Sequence, residues 1–208
     1  MVDNIIGIIK ITTKERNLKY LAAPPPAFSE ALAPEERSSR EQLVKISNLY
    51  FDVLKQLDNT IVPWDPDCYR LENGMLTGGL KAPDVIIANL PAPKNTPQAP
   101  AGEDFPQFSP RACSDATDLG FLGYITSVQP RRVAVVDEER GVTWGMYRFN
   151  HRGVRTLKMK DGSTRPAPFA DEPNSMPIAE IFKIKNGRIR DIMALMATVP
   201  YGTNTGWE

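Results

Sequence analysis

The feature that most constrains the fold is a pair of apolar runs near the end of the chain, joined by a tight turn. Residues 178–184 and 188–198 form the two runs, and Lys185-Asn186-Gly187 separates them. Asn-Gly between two such runs is the strongest short-range signal for an antiparallel hairpin, because both residues tolerate the positive φ angles of the turn. The chain is therefore expected to close with this hairpin.

Upstream segments predict one long helix and two further hairpins. Residues 38–58 carry apolar residues at helical spacing, and Ser38 with Glu41 matches the pattern of a capping box at the start. Residues 67–78 and 131–151 each contain two strand-like runs around a turn. Because the predicted helices come early in the chain and the antiparallel strands come late, we expect an α+β fold rather than a doubly wound sheet.

Proline-rich and polar segments suggest how the chain is organised. Residues 1–34 predict an extended segment, and residues 35–208 predict a single domain with insertions at about 80–110 and 152–176. The first insertion holds seven prolines and is either a lid over a site or a surface loop without a role. A second helix, or two helices broken at Gly120 and Gly123, is predicted from Ser109-Pro110 to about Ser127.

Charge balance excludes some classes of partner. The chain has 25 Lys+Arg and 25 Asp+Glu, so no long-range positive field would gather nucleic acid. No apolar run approaches the roughly 18 residues that cross a bilayer, which predicts no membrane partner. The acidic run 137–139 lies next to Arg140 and predicts a self-neutralised turn rather than a cation site.

The motifs of several enzyme classes are missing. The sequence has no Gly-rich phosphate loop and no dinucleotide fingerprint. With a single histidine and two cysteines, it also argues against a zinc site, so we expect neither a metal nor a cofactor. Cys68 and Cys113 make no disulfide framework, which predicts a cytoplasmic protein.

Glu180 is the strongest candidate for a catalytic residue. It shares a predicted strand face with Ile178, Phe182 and Ile184, so burial of that face would place a carboxylate in an apolar wall. Desolvation would raise its pKa, which suits a general acid or base near neutral pH. The alternative is that Glu180 pairs structurally with an arginine or lies at the rim.

Arginines and aromatic residues supply the remaining candidates. Arg70 and Glu72 share one face of a predicted strand and Tyr69 lies on the other, so the pair is either a structural ion pair or a substrate clamp. Arg132 poses the same choice, and an arginine at a cavity wall would stabilise a phenolate or carboxylate. For the others, ordinary core or surface packing is the alternative to a role in the site. They are Tyr50, Tyr124, Tyr147, His151, Trp144 and Phe182.

The late segments resemble a known superfamily. Residues 179–190 (AEIFKIKNGRIR), followed by an apolar strand to Val199, resemble the closing hairpin of the nuclear-transport-factor-2-like, SnoaL-like superfamily. The order of the other segments agrees with that family over roughly residues 38–202, including residues 67–74 and 131–141. The resemblance implies a curved antiparallel sheet wrapped around helices, forming a cone with a deep apolar pocket. It also implies a homo-oligomer.

The resemblance further implies a cofactor-free enzyme acting on a hydrophobic aromatic small molecule. The size of the chain and its long insertion are similar to bacterial lyases of lignin-derived aromatic diols, which release formaldehyde and leave a stilbene. On this hypothesis Glu180 is the acid/base group, Arg70 or Arg132 holds the phenolate, and tyrosines and His151 assist. Trp144, Phe182, Glu72 and Tyr69 contact the substrate. The alternatives are a dehydratase, an isomerase, an epoxide hydrolase or a non-catalytic binding protein.

Overall fold

One long helix and a curved sheet make up most of the chain that the structure describes. The structure is a computed structural model, and its described residues are 25–56, 58–73, 75–79, 112–114, 120, 122–167 and 172–206. The helix is α1 (Arg40–Gln56). The strands are β1 (Trp64–Glu72), β2 (Met75–Gly78), β3 (Ser127–Asp137), β4 (Val142–His151), β5 (Thr156–Lys158), β6 (Thr164–Pro166), β7 (Asn174–Lys185), β8 (Arg188–Met196) and β9 (Val199–Pro200).

The predicted long helix is confirmed as α1, and its cap lies one residue later than expected. Ser39 donates its backbone N–H to Gln42 Oε1 over 3.0 Å, and the Gln42 N–H donates to Ser39 Oγ over 3.4 Å. This reciprocal pair satisfies two N–H groups that the first turn leaves without helical partners. No helix in the described part of the chain is long and apolar enough to cross a membrane.

The main sheet confirms all three predicted hairpins and adds one parallel contact. Its strand order is β2-β1-β8-β7-β4-β3, with β9 paired to β7. The pairs β1–β2, β3–β4 and β7–β8 are antiparallel, as predicted, whereas β1 and β8 run parallel. The prediction of a wholly antiparallel sheet is therefore wrong at β1–β8. These strands are far apart in sequence, so no tight turn dictates their relative direction. The α+β class is confirmed.

The region before β3 and the insertion at 152–176 differ from prediction. β3 begins at Ser127, and residues 122–124 form a turn, so the predicted helix does not extend to Ser127. The insertion at 152–176 contains the small β5–β6 hairpin and the first residues of β7. Residues 1–24 of the predicted entry segment and the insertion at 80–110 lie outside the described residues.

A disulfide joins Cys68 of β1 to Cys113, with their α-carbons 5.9 Å apart. The two cysteines meet because the described segment 112–114 packs beside β1 and β2. Disulfides persist mainly in oxidising compartments. The absence of a disulfide framework, on which the cytoplasmic prediction rested, therefore gives that prediction no support.

Candidate functional site

The side of the sheet that packs against α1, here called the helix-facing side, carries the candidate site. Tyr50 and Phe51 of α1 place their ring centroids 5.2 and 5.8 Å from that of Phe182 on β7. The rings of Phe51 and Tyr147 on β4 lie 4.1 Å apart. Because side chains alternate along a strand, Glu180 points to the same side as Phe182.

Strand register places Glu180 in a row with three other residues. Gly145 of β4 lies opposite Glu180 on one side, and Ala194 of β8 lies opposite it on the other. Glu72 of β1 lies opposite Ala194 in turn. The two glutamates are therefore separated by one alanine, with α-carbons about 10 Å apart, which is twice the strand spacing. The fold thus brings two predicted site residues from distant parts of the sequence together.

Glu180 is a buried carboxyl group with an incomplete set of partners. The residue is 1% exposed, and its Oε2 has no hydrogen-bond partner among the described residues. Burial raises the pKa of Glu180 well above its ordinary value, and the negative charge of Glu72 adds to this effect. Arg70 and the Tyr50 hydroxyl, which lies within hydrogen-bonding reach, lower the pKa by less. The site therefore favours the protonated carboxyl, as the sequence predicts for a buried face.

Arg70 is a buried cation held by three elements. Its Nε donates to Thr77 Oγ1 of β2 over 3.0 Å, and its Nη1 donates to the Tyr50 hydroxyl of α1 over 3.4 Å. Its Nε also lies 3.4 Å from Glu72 Oε1 in an ion pair on β1. Burial lowers the pKa of Arg70, but the charge of Glu72 and the contact with Tyr50 raise it by more. Thr77 was not predicted as a site residue, because a single threonine in a short strand has no distinguishing pattern.

Three predicted tyrosines lie around Glu180 and Arg70, and their hydroxyl groups are neutral. Burial, followed by the negative charge of Glu180, raises the pKa of both Tyr50 and Tyr147. Burial and the charge of Glu72 raise the pKa of Tyr124. The Tyr147 hydroxyl has no hydrogen-bond partner among the described residues. These side chains are hydrogen-bond donors rather than phenolates at neutral pH.

His151 lies on the same side, near the end of β4. It pairs across strands with Asn174 of β7, and its Nδ1 lies 2.7 Å from Asn174 Oδ1. The ring centroid of Tyr124 lies 5.2 Å from that of His151. Burial lowers the pKa of His151, although the bond to Asn174 opposes this effect. Asn174 was missed because the sequence pattern placed it in the insertion at 152–176 rather than in a strand.

Three predicted site residues lie on the opposite, outer face. Arg132 is exposed and pairs with Met146, whose neighbour Tyr147 faces the helix. Trp144 lies between two helix-facing residues of β4 and is half-buried on the outer face. Tyr69 is buried there beside Asp191. A shift of one residue along a strand reverses the side to which a side chain points, and the sequence did not fix this for β3 and β4.

The helix-facing arginine of β3 is Arg131 rather than Arg132. It forms an ion pair with Asp52 of α1 at 2.8 Å and donates to the Asn48 backbone oxygen over 3.2 Å. These contacts tie β3 to the helix and give Arg131 a structural role. A pocket of about 210 Å³ lies beside it, lined by Pro130, Arg131, Arg132, Met146, Tyr147, Pro177 and Thr205. None of these residues is Glu180, and the predicted deep apolar pocket stays a prediction.

The group around Glu180 can donate a proton and stabilise negative charge. A protonated carboxyl is a proton donor, and the buried Arg70 with its neighbouring hydroxyls can stabilise an oxygen on which charge develops. Among the described residues, no cluster of three or more His, Cys, Asp or Glu side chains is placed to hold a metal ion. The protonated Glu180 carboxyl and the buried Arg70 cation together suit acid/base chemistry by side chains.

Comparison with known proteins gives a family and a set of remote structural likenesses. A family model described as "Domain of unknown function (DUF8021)" matches residues 36–196. No curated protein matches the sequence.

Three solved structures that are similar to this chain have low sequence identity to it. A candidate polyketide cyclase from a Silicibacter species is 11% identical, covers 75% of this chain and 89% of its own, and has a TM-score of 0.41. A candidate SnoaL-like polyketide cyclase from a Jannaschia species is 11% identical, covers 80% and 90%, and has a TM-score of 0.38. An uncharacterised protein with a cystatin-like fold from Caulobacter vibrioides is 11% identical, covers 76% and 88%, and has a TM-score of 0.34.

The lyase branch that the resemblance implies stays a prediction. A shared fold does not imply a shared activity.

Proposed function

Because the chain belongs to the family described as "Domain of unknown function (DUF8021)", we propose its function from the site itself: acid/base catalysis on a small hydrophobic molecule. The observation that carries this proposal is the buried Glu180 carboxyl, whose Oε2 has no partner among the described residues. A buried polar atom without a partner is costly, and a substrate oxygen would satisfy it. Most buried side-chain polar atoms have at least one hydrogen-bond partner.

In the proposed step, Glu180 gives its proton to an oxygen that leaves the substrate or opens from a ring. The C–O bond breaks as the O–H bond forms, and the electron pair of the broken bond stays on oxygen. The new Glu180 carboxylate then lies near the Arg70 cation, which favours it. The same cation and the Tyr50 hydroxyl stabilise negative charge that develops on the substrate.

The finer hypothesis is a lyase acting on a phenolic diaryl propanediol. Protonated Glu180 would help the benzylic hydroxyl leave as water and give a quinone methide. A base would then take the proton of the terminal hydroxyl as the carbon–carbon bond breaks, which releases formaldehyde and leaves a stilbene. Of the two arginines predicted to hold the phenolate, Arg70 belongs to the Glu180 group and Arg132 lies on the outer face.

A second candidate is a dehydratase or an epoxide hydrolase, and the contacts of Arg70 favour it. Glu72 already neutralises Arg70 through the ion pair at 3.4 Å, so a full phenolate would add a second negative charge to the group. An alcohol or epoxide oxygen is neutral and gains charge only during the reaction. Glu72 and Glu180, on either side of Ala194, could then serve as separate base and acid.

The test is turnover of purified protein on a panel of phenolic diaryl diols, hydrophobic alcohols and epoxides. Formaldehyde together with a conjugated product supports the lyase. Conjugation without formaldehyde supports a dehydratase, and a diol formed from an epoxide supports a hydrolase. A protein that binds panel members and converts none contradicts the proposal and supports a binding protein.

We expect Glu180→Gln to lower kcat by about 10²–10⁴-fold, since the amide keeps the shape and loses the acidic proton. The matched control is Asp191→Asn, which changes a buried carboxyl to an amide on the outer face of the same sheet. Activity should fall as pH rises through the pKa of Glu180, because the deprotonated carboxyl cannot donate. Near-normal turnover by Glu180→Gln would remove this residue from the mechanism.

Two further predictions accompany this function. A homo-oligomer formed through the outer face, where Val135 is 50% exposed, can be tested by light scattering. A cytoplasmic location remains a prediction as well, and the disulfide between Cys68 and Cys113 is instead typical of oxidising compartments.

A further inference from the structure

His151 and Asn174 form a buried polar pair that the proposed step at Glu180 does not use. The imidazole is 1% exposed and Asn174 is 9% exposed. The two residues are directly opposite each other on β4 and β7, and His151 Nδ1 lies 2.7 Å from Asn174 Oδ1. Backbone pairing on both strands therefore fixes the position of the two side chains relative to each other.

The orientation of the Asn174 amide determines which imidazole nitrogen carries hydrogen. Asn174 Nδ2 donates to the Glu172 backbone oxygen over 3.3 Å, which leaves Oδ1 facing His151. A carbonyl oxygen only accepts, so His151 Nδ1 must be the donor and must carry the proton. In a neutral imidazole the other nitrogen, Nε2, then holds the lone pair and is the basic atom.

The surroundings of His151 keep it neutral. Burial lowers its pKa, and the neighbouring Tyr124 ring, with centroids 5.2 Å apart, is itself neutral because burial raises its pKa. Glu180 is in the opposite condition, since burial favours its protonated form. Burial thus favours a protonated Glu180 and an unprotonated His151 on the same side of the sheet.

The two groups are far apart along the strands. His151 lies six positions along β4 from Gly145, which is opposite Glu180, and this is about 20 Å in an extended strand. His151 and Glu180 therefore do not act on adjacent atoms of one small substrate. His151 therefore belongs to a second group, separate from the one around Glu180.

We propose that Asn174 is a positioning residue that holds His151 as the Nδ1–H tautomer, making Nε2 the proton-accepting atom of a second proton-transfer group. The tautomer follows from the hydrogen bonds alone. Its use in the reaction rests on the proposed function.

The test exploits the presence of one histidine in the chain. Protein labelled with ¹⁵N-histidine gives the signals of one imidazole, and long-range ¹H–¹⁵N spectra at pH 7 report which nitrogen is protonated. We expect Nδ1–H to exceed Nε2–H by roughly tenfold, the effect of one buried hydrogen bond. A wild-type imidazole that is mainly Nε2–H, or that is doubly protonated, would overturn the proposal.

Variants separate positioning from simple support of the fold. Asn174→Leu removes the acceptor and should shift the tautomer toward Nε2–H. Asn174→Asp keeps an acceptor oxygen and should retain hydrogen on Nδ1, so it serves as the second variant if leucine disturbs folding. Ser175→Ala is the matched control, since it alters the next residue of β7, whose side chain bonds to Asn150 rather than to His151. A tautomer that is the same in Asn174→Leu and wild type contradicts the proposal.

Activity measurements then distinguish this proposal from the proposed function. On a substrate that the wild-type protein converts, Asn174→Leu should lower kcat more than it raises KM, and Asn174→Asp should restore part of the loss. If Glu180→Gln is fully active, the proposed function fails while the tautomer measurement still stands. If Glu180→Gln is inactive and Asn174→Leu is fully active, the second proton-transfer group is wrong and Glu180 is unaffected.

Discussion

Gly145 is needed because the structure leaves no room for a side chain at this position. A Cβ at this position would contact the Tyr147 hydroxyl, and it would lie only 2.6 Å from the Arg132 backbone oxygen. Tyr147 is 1% exposed and packs on Phe51 with ring centroids 4.1 Å apart, so it has little freedom to move. The tyrosine therefore lies next to the strand position opposite Glu180 only because residue 145 has no side chain.

We expect Gly145→Ala to destabilise the protein by about 1–3 kcal/mol, the usual cost of overpacking a buried position, and to lower turnover by displacing Tyr147. Urea unfolding and kcat measure the two effects. In a Tyr147→Leu background the same substitution should cost less, because the displaced hydroxyl is gone. Strictly additive costs in the two backgrounds would show that Tyr147 is not what the new methyl group meets.

At the scale of strands, the sequence predicted which segments pair but not which side of each strand faces the helix. Alternation and the turn residues Asn73 and Asn186, both at positive φ in the structure, were sufficient for two of the hairpins. Glu180 was placed well because its neighbours Ile178 and Phe182 are apolar at a spacing of two. β3 and β4 carry apolar residues on both sides, so no comparable pattern indicated the side of the sheet to which Arg132 and Trp144 point.

The outer face of β7 and β8 holds its own buried polar group. Lys183 and Asp191 are opposite each other across the strands, and Lys183 Nζ donates to the Glu30 backbone oxygen over 2.7 Å. Burial raises the pKa of Asp191 to about 6. The positive charges of Arg190 and Lys183 and the neighbouring Tyr69 hydroxyl lower it, while the charge of Asp65 raises it. Folding thus makes this carboxyl harder to ionise.

Asp191 should make stability depend on pH. Its pKa is higher in the folded chain than the usual 3.8, so the folded state binds the proton more tightly, and unfolding becomes easier as pH rises from about 4 through 6. We expect wild type to lose roughly 2–3 kcal/mol relative to Asp191→Asn between pH 4 and pH 8. Urea unfolding at several pH values measures the difference. If the unfolding free energies of the two proteins depend on pH in the same way, the raised pKa of Asp191 is contradicted. The control is Asp67→Asn, which changes an exposed carboxyl group.

At the scale of the whole molecule, the disulfide joins the sheet to a segment that comes 45 residues later in the chain. A Cβ built on Gly78 would lie 3.5 Å from Arg70 Cβ and 3.6 Å from Cys113 Sγ, so the bridge lies beside the buried arginine. The covalent link therefore fixes segment 112–114 next to the candidate site. The sequence could not show this, because two cysteines at this separation have no pattern that distinguishes a bridge from two free thiols.

Reduction of the disulfide should cost about 4 kcal/mol of unfolding free energy, the loop-entropy value for a separation of 45 residues. Urea unfolding with and without a phosphine reductant measures this cost, and Cys68→Ala/Cys113→Ala is the control because the reductant has nothing to act on. Reduction should also lower kcat, since segment 112–114 would no longer be held beside Arg70, whereas the double alanine variant should show the lower kcat with or without reductant. Two titratable thiols in unreduced, unfolded protein would contradict the bridge. They would also restore the case for a reducing, cytoplasmic location, which the intact bridge opposes.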